Sequence, residues 1–375
     1  MRVRLGEVCE INMGQSPASS TYNEEEKGLP FFQGNADFGE IYPTARIWCD
    51  EPTKVAHIGD ILISVRAPIG ALNLSNCKCC IGRGLAALTV NKNICLQKYL
   101  WYVLAGKNGE LNSKGTGSTF KAINKNILAE TEIPLPSLDE QHKIVMLLDK
   151  VSGVIAERRK QVERLDDLVK SRFIEMFGDP VANPHGFKRV TLSELAEIKI
   201  GPFGSLLHKE DYIEGGHPLL NPSHIIDGKV APDSKLTISD KKYAELEAYH
   251  LHVGDVIMGR RGEMGRCAVV PYEGFLCGTG SLLIRVRGEV TADYIQKIIS
   301  FPSFKKAIED MAVGQTMPNL NVPIVSRFQI IKPPVKVQNS YYTFVKQTDK
   351  LELVAQKSLE KLEILKKSLM QQYFG

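Results

Sequence analysis

The chain has 375 residues, of which 43% are hydrophobic and 24% are charged. A domain usually takes about 100–200 residues, so this length predicts at least two domains. The ordinary composition excludes both a disordered polymer and a membrane protein. The 47 Lys and Arg residues exceed the 43 Asp and Glu residues by four, too small an excess to attract nucleic acid through net charge alone. Any basic binding surface must therefore be local.

The sequence also predicts where the protein works. The first residues lack the apolar core of a secretory signal, and no apolar run approaches the roughly 20 residues of a membrane span. The eight Cys residues are distributed unevenly, six in the first half of the chain and two in the second. This distribution does not favour a disulfide framework. We expect a reduced, cytoplasmic protein that has no contact with a membrane.

An internal repeat runs through the whole chain at an offset near 197 residues. Residues 5–11 match 192–198, residues 59–63 match 254–258, and residues 133–136 match 331–334. Because the matches keep their order, we predict two copies of one unit, each a globular part followed by a charged helix. The predicted divisions are a first domain at 1–136, a central helix at 137–178, a second domain at 179–334 and a C-terminal helix at 335–375.

The first helical stretch has clear start and stop signals. Ser137 and Glu140 have the spacing of a capping box, and Gly178 follows the predicted last turn. In the second copy, Val335 and Gln338 stand in for Ser137 and Glu140, so the second cap is weaker.

Both stretches carry an apolar seam with heptad spacing. The first seam is Ile144, Leu148, Val151, Ile155, Val162, Leu165 and Val169. The second seam is Leu351, Ala355, Leu362, Leu365 and Leu369. We expect the two helices to run antiparallel and to bury their seams against each other. The alternative is that each helix packs on its own globular domain.

Motifs for catalysis are absent from the sequence. There is no G-x-x-x-x-G-K-[ST] loop for ATP, no glycine-rich loop for a methyl donor and no Asn/Asp-Pro-Pro-aromatic element. Asp233 and Asp240 precede a lysine pair but have no counterpart in the first copy. The Cys77, Cys79 and Cys80 cluster lacks the second pair that a zinc site needs. The residues therefore predict no catalytic site and no metal site.

Several segments together resemble the specificity subunit of type I restriction-modification enzymes. They are residues 135–141 with Pro136 and Gln141, the helix end at 173–180, residues 183–186 and the Gly-Arg-Arg-Gly-Glu-Met-Gly run at 259–265. The resemblance covers both halves in the order recognition domain, helix, recognition domain, helix. It implies an α+β fold, with two duplicated target-recognition domains of mixed structure joined by two long antiparallel, coiled-coil-like helices.

The resemblance also implies a function. Each recognition domain would read one half of a bipartite target in double-stranded DNA, and the helices would set the gap and dock methylation subunits, two of them in this interpretation. Restriction subunits would complete the assembly. S-adenosylmethionine, ATP and Mg would bind to those partners, and this chain would bind no cofactor and would not be catalytic. The competing interpretation is a duplicated scaffold that binds protein partners and no DNA.

The candidate DNA-binding residues form three groups. Arginines in glycine-rich turns after short apolar strands, which can reach a guanine edge or a phosphate, are Arg66, Arg83, Arg260, Arg261 and Arg266. Residues of glycine-led loops, suited to phosphate contacts, are Ser118, Thr119, Lys121, Gln315, Thr316 and Asn319. Residues in the loops after the first strand of each copy, where amides can read adenine, are Gln15, Ser16, Gln33, Asn35, Ser205, Lys209 and Asn221. Solvated surface positions and ordinary turn chemistry remain the alternative for all of them.

Overall fold

The computed structural model describes residues 1–117, 121–311 and 319–375. These residues form an α+β fold in which small, mostly antiparallel sheets accompany short helices and two helices of 40 residues each. Within these described ranges, no helix is long and apolar enough to cross a bilayer.

The chain divides into two compact units. The first consists of Met1–Gln161 and Val354–Gly375, and the second consists of Val162–Leu353. The long helices extend over Leu138–Phe177 and Val335–Phe374, so each unit contains a globular part and one half of each long helix.

The first unit is built on two sheets. The central sheet is antiparallel, with strands in the spatial order Cys9–Met13, Leu85–Val90, Ile61–Ser64 and Leu72–Leu74. The second sheet has the order Tyr22–Asn23, Trp48–Cys49, Leu29–Phe32, Cys79–Ile81 and Val55–Ala56. Its strands Leu29–Phe32 and Cys79–Ile81 are parallel, and their side chains are largely buried. This parallel pair places residues almost 50 positions apart side by side in the sheet.

The rest of the first unit closes around these sheets. A two-stranded ladder pairs Arg2–Arg4 with Glu132–Pro134. The short helices are Leu5–Val8, Gln97–Gly106, Asn108–Ser113 and Lys125–Ala129, with 3-10 turns at Ser19–Thr21 and Asn35–Asp37.

The second unit repeats this plan. Its central sheet has the order Ala196–Ile200, Ser281–Val286, Val256–Gly259 and Cys267–Val269. Its second sheet has the order Tyr212–Ile213, Thr237–Ile238, His217–Leu220, Phe275–Cys277 and His250–Leu251, again with one parallel pair. The remaining strands pair Arg189–Thr191 with Gln329–Ile331 and Ile225–Ile226 with Lys229–Val230. The short helices are Leu192–Leu195, Asp240–Glu245, Ala292–Ser300, Pro302–Met311 and Val322–Ser326, with 3-10 turns at Gly204–Leu206, Lys209–Asp211, Pro222–His224 and Glu247–Tyr249.

The duplication extends to individual core contacts. In the first unit Phe374 packs edge-on against Tyr99 at 5.7 Å between ring centroids, and in the second unit Phe177 packs likewise against Tyr294 at 5.2 Å. The hydroxyl of Tyr99 donates to the Pro134 carbonyl at 2.9 Å, and the hydroxyl of Tyr294 donates to the Ile331 carbonyl at the same distance. Each unit therefore holds the last turn of a long helix in its core through the same aromatic pair.

The seam of the first long helix is buried as predicted over its first half. Ile144 and Leu148 join the core of the first globular part, while Val151 and Ile155 pack against Leu359 of the other long helix. Packing on the globular domain and packing between helices thus both occur, at different heights. The two interpretations are not exclusive, because successive residues of the seam along the helix make the two kinds of contact.

The predicted seam of the second long helix is partly wrong. Ala355 is buried as expected, but Leu351 and Leu365 are 60% and 46% exposed. Thr348 and Leu359 are buried instead, at 4% and 8% exposure. The observed seam follows the heptad repeat through Thr348, Ala355 and Leu359. Leu351 and Leu365 lie about one position away from it, which rotates them by about 100° around the helix.

The register between the two helix starts also differs from the sequence-based alignment. Ser137 accepts a hydrogen bond from the Glu140 backbone N–H at 3.4 Å, as the capping box predicts. Gln338, however, matches Gln141 rather than Glu140. The amide of Gln141 donates to the Pro136 carbonyl at 2.9 Å and that of Gln338 donates to the Pro333 carbonyl at 2.9 Å, and both side chains are completely buried.

Candidate nucleic-acid interface

Several candidate residues of the first unit meet where strands of its two sheets end. The Arg83 backbone N–H donates to the Ser16 hydroxyl at 3.3 Å, and the Gly84 N–H donates to the Gln33 carbonyl at 3.1 Å. The Val65 N–H in turn donates to the Gly84 carbonyl at 2.9 Å. Ser16, Gln33, Arg83 and the residue before Arg66 are therefore linked by three consecutive contacts.

Arg66 and Lys121 belong to the same surface. Arg66 pairs with Ala122 in an isolated antiparallel bridge, and the Ala67 N–H donates to the Lys121 carbonyl at 3.1 Å. The side chains of Arg66, Arg83 and Lys121 are all exposed. The first unit thus presents three cations on neighbouring loops, a local basic surface in a chain of small net charge.

An open cleft of about 540 Å³ lies beside these loops. Gln33, Asn35 and Arg66 line it, together with Arg46, which the sequence did not single out. Arg46 forms an ion pair with Asp37, yet 61% of its side chain remains exposed. The cleft therefore combines amide groups that can read base edges with two guanidinium groups.

The second unit contains an equivalent set of loops. The Asn221 side-chain oxygen accepts from the Gly280 N–H at 3.3 Å, and the Arg260 N–H donates to the Gly280 carbonyl at 3.0 Å. Arg261 pairs with Asn319 as Arg66 pairs with Ala122. Asn221, Arg260, Arg261 and Asn319 are therefore brought together.

Arg260 and Arg261 differ in their environment. Arg260 donates from Nε to the Asn319 side-chain oxygen at 3.0 Å and is half-buried, whereas Arg261 is exposed. Burial, and then the neighbouring charge of Arg261, lower the pKa of the Arg260 guanidinium from its usual value. An arginine remains charged after such a shift. Because Arg260 is half-buried and hydrogen-bonded to Asn319, Arg261 is the more exposed of the two cations at this position.

A basic residue that sequence reasoning missed occurs at one position in both units. The Phe31 N–H donates to the Ile47 carbonyl at 2.8 Å, and the Leu219 N–H donates to the Leu236 carbonyl at 3.0 Å, so Ile47 and Leu236 are equivalent. Their preceding residues, Arg46 and Lys235, are both exposed cations. The only sequence signal is a cation before an apolar residue, because insertions shift the offset here to 189 residues.

Glycine permits the loops to approach so closely. A Cβ atom on Gly14 would lie 2.1 Å from the Gly82 carbonyl oxygen, and one on Gly201 would lie 2.0 Å from the Gly278 carbonyl oxygen. Any side chain at either position would push the loop after the first strand away from its neighbour. The same close approach in both units supports their equivalence.

Other candidates stand apart from these groups or outside the described residues. Gln15 is exposed beside Ser16, and Lys209 is exposed in its 3-10 turn. Among the described residues, no hydrogen bond or ion pair joins Lys209 to the Arg260 group. The four predicted loop residues outside the described ranges are Ser118, Thr119, Gln315 and Thr316. Ser205 falls in the turn Gly204–Leu206, but its side chain is not among those described.

Arg266 has a different environment from the other arginines. It donates from Nε and Nη2 to the Glu263 carboxylate at 3.0 and 2.7 Å and from Nη1 to the Pro222 carbonyl at 3.4 Å. These contacts engage all three of its nitrogens within the protein.

Most of the cysteines are buried packing residues on strands of the sheets. Cys79 and Cys80 lie on the buried strand Cys79–Ile81, and burial raises the pKa of the Cys79 thiol to about 12. In the part of the chain that the structure describes, no group of three or more His, Cys, Asp or Glu side chains is arranged to hold a metal ion.

This duplicated architecture, in which each unit carries a basic loop surface, is that of a known protein family. Residues 1–164 and 184–363 match the family described as the type I restriction modification DNA specificity domain, and the chain belongs to that family.

Individual relatives come from several organisms. The chain is 44% identical over 170 residues to a Methanocaldococcus jannaschii protein named as the MjaX specificity subunit, a match that covers 45% of this chain and 40% of that relative. It is 23% identical over 333 residues to the MjaIX specificity subunit of the same organism, covering 83% of this chain and 76% of that protein. The crystal structure of the S subunit from M. genitalium has the same fold, with 16% identity and a TM-score of 0.58 over 100% of this chain and 96% of the other.

Proposed function

We propose that this chain reads a bipartite DNA sequence for a type I restriction-modification complex, with one half-site read by each unit. The observation that carries the proposal is the duplicated loop surface: Arg46, Arg66 and Arg83 in the first unit, and Lys235 and Arg261 in the second, are exposed cations on equivalent or neighbouring loops. A duplicated reader of this kind suits a target with two separated halves.

The exposed side chains support distinct roles in reading. Arg66 and Arg261 lie at equivalent loop positions, where a guanidinium can bind a guanine edge through two hydrogen bonds. Gln33 and Asn35 line the cleft beside Arg66 and carry amides suited to adenine. Lys121 and Arg83 suit phosphate contacts, which fix register without reading sequence.

Catalysis belongs, in this proposal, to other chains. Two methylation subunits would bring S-adenosylmethionine, and restriction subunits would bring ATP and Mg, so this chain would bind no cofactor and would act in the cytoplasm. The long helices would dock the methylation subunits and set the gap between half-sites.

The first test separates DNA reading from a protein scaffold. Methylated adenines mapped in the native genome would identify the target, and binding of the chain with its methylation subunits to that duplex would be measured from 50 to 200 mM salt. With six to ten phosphate contacts, affinity should fall by roughly 10³- to 10⁵-fold over this range. A scaffold would show little affinity for the duplex and little dependence on salt.

The second test assigns the half-sites. Exchange of residues 179–334 for the corresponding domain of another family member should change one half of the target and leave the other half intact. The reciprocal exchange of residues 1–136 is the matched control and should change the opposite half. Loss of both halves in either exchange would contradict independent reading.

A further inference from the structure

Each unit has a loop that joins the third and fourth strands of its central sheet, counted in the spatial order given above. In the first unit this loop is residues 65–71, between Ile61–Ser64 and Leu72–Leu74, and in the second it is residues 260–266, between Val256–Gly259 and Cys267–Val269. We refer to both as recognition loops, because they carry Arg66 and Arg261.

The two recognition loops correspond residue by residue. Ile69 and Met264 are buried at 1% and 3% exposure, and the glycines that follow them, Gly70 and Gly265, have φ of +88° and +75°. A Cβ on Gly70 would meet Asn108, and one on Gly265 would meet Lys305. Glu263 therefore occupies the position of Pro68, Arg266 that of Ala71, and Lys305 that of Asn108.

The second recognition loop is held by charged groups. Glu263 accepts from Arg266 Nε and Nη2 at 3.0 and 2.7 Å through one carboxylate oxygen, and from Lys305 Nζ at 2.8 Å through the other. Lys305 lies on the helix Pro302–Met311, and Arg266 also reaches the Pro222 carbonyl. The hydrogen bonds from Lys305 and Arg266 lower the pKa of Glu263 to about 2, so the carboxylate is ionised at every physiological pH.

The first recognition loop is held by neutral groups at the equivalent place. The Asn108 amide donates to the Gly70 carbonyl at 3.2 Å, and the Asn112 amide donates to the Ile69 carbonyl at 2.6 Å. Both asparagines lie on the helix Asn108–Ser113. Neutral hydrogen bonds are not screened by salt, whereas ion pairs between half-exposed groups are.

We propose that Glu263 is a positioning residue for DNA reading: with Arg266 and Lys305 it forms an ionic clamp that holds the second recognition loop, and hence Arg261, in its reading geometry. This inference rests on the proposed function and refines it. Arg266 then serves the clamp rather than a base contact. The second unit should lose discrimination between sequences when its clamp is weakened, and the first unit should not.

The decisive variant is Glu263→Gln in the full chain with its methylation subunits. Discrimination is measured as the ratio of Kd for a duplex with one half-site scrambled to Kd for the intact target. At the half-site assigned to the second unit we expect this ratio to fall about five- to tenfold, because the three hydrogen bonds from Arg266 and Lys305 lose their charged acceptor. The ratio at the other half-site should stay unchanged, and the Kd for a fully scrambled duplex should not rise, because the loss of a carboxylate does not weaken phosphate contacts.

Two sets of controls accompany this variant. Glu309→Gln removes the same charge from an exposed position on the helix that carries Lys305, and should leave both ratios unchanged. Lys305→Met should reproduce the defect and Lys305→Arg should restore at least half of the discrimination, a rescue that a purely packing role would not show. The Lys305 pair carries the same test if Glu263→Gln does not fold.

The outcomes separate the clamp from the proposed function. If the unaltered chain with its methylation subunits discriminates at neither half-site, the proposed function fails. If it discriminates but both Glu263→Gln and Lys305→Met keep the full ratio at the second half-site, the clamp is overturned. Equal losses at both half-sites would also overturn it, because the clamp acts on one loop only.

Discussion

Replacement of Gln141 by Leu tests how firmly a long helix is fixed to its globular part. Gln141 is completely buried at the start of the first long helix. Its side chain accepts from the Leu96 N–H at 2.9 Å and donates to the carbonyls of Ile94 and Pro136, both at 2.9 Å. Leucine fills a similar volume but satisfies none of these groups.

The size of the effect follows from the three groups that lose their partner. Ile94 is an exposed residue, so water can replace the amide there, while the Leu96 N–H and the Pro136 carbonyl belong to half-buried residues. An unsatisfied buried backbone group costs about 1–3 kcal/mol. We expect Gln141→Leu to lower the free energy of unfolding of the first unit by about 2–4 kcal/mol.

The duplication supplies a matched comparison. Gln338 accepts from the Thr291 N–H and donates to the Pro333 carbonyl, both at 2.9 Å. Gln338→Leu therefore also leaves two backbone groups without a partner and should lower the free energy of unfolding of the second unit by a similar amount. Gln356→Leu, at an exposed position on the second long helix, is the control and should cost less than about 0.5 kcal/mol.

Chemical denaturation gives the total cost of each variant, and native-state hydrogen exchange shows which unit has lost it. Gln141→Leu should accelerate exchange in the first unit, and Gln338→Leu in the second. A loss of less than about 1 kcal/mol of unfolding free energy for either glutamine variant would refute the reasoning, since the backbone groups left without the amide would then have found other partners.

Three further predictions concern the interface, the helices and the clamp. We expect Arg46 and Lys235, as exposed cations at equivalent positions, each to bind one phosphate. Arg46→Ala and Lys235→Ala should each weaken DNA binding for all sequences alike and reduce the slope of log K against log salt by about 0.9, which a salt titration measures. A change in sequence preference would contradict this role. We would insert seven residues at Ser152-Gly153 and make a matched insertion in the other long helix, which adds about 10.5 Å of helix. The gap between the two halves of the methylated target should then lengthen by about three base pairs. An unchanged gap would contradict the spacer role. The pKa of Glu263 is lowered from 4.5 to about 2 in the folded chain, so the clamp should stabilise the second unit fully above pH 4.5 and lose this contribution as the pH falls toward 2. Carbon-13 titration of the Glu263 carboxyl group checks this prediction. A titration midpoint near 4.5 would contradict the clamp.

The long helices illustrate how far local pattern carries. Their starts and ends could be predicted because caps, prolines and a terminal glycine act within one or two turns: the first long helix ends at Phe177, and Gly178 has the left-handed φ of +70° expected after a helix. The burial of Leu359 in place of Leu351 could not be predicted, because the spacing of leucines fits two neighbouring faces and only the packed neighbours choose between them.

The duplication and its order, the two helices and the class of protein were determined by the sequence alone, because they depend on repeated motifs and short-range periodicity. Which candidate residues lie together on one surface was decided by the tertiary structure. Arg46 and Lys235 become equivalent only through strand pairings that insertions hide from an alignment. Arg266, which the sequence offers as a candidate base contact, pairs with Glu263 in the structure, because that carboxylate is three residues away and also binds Lys305. Such contacts join segments up to tens of residues apart, and no local pattern encodes which of several exposed charges will meet.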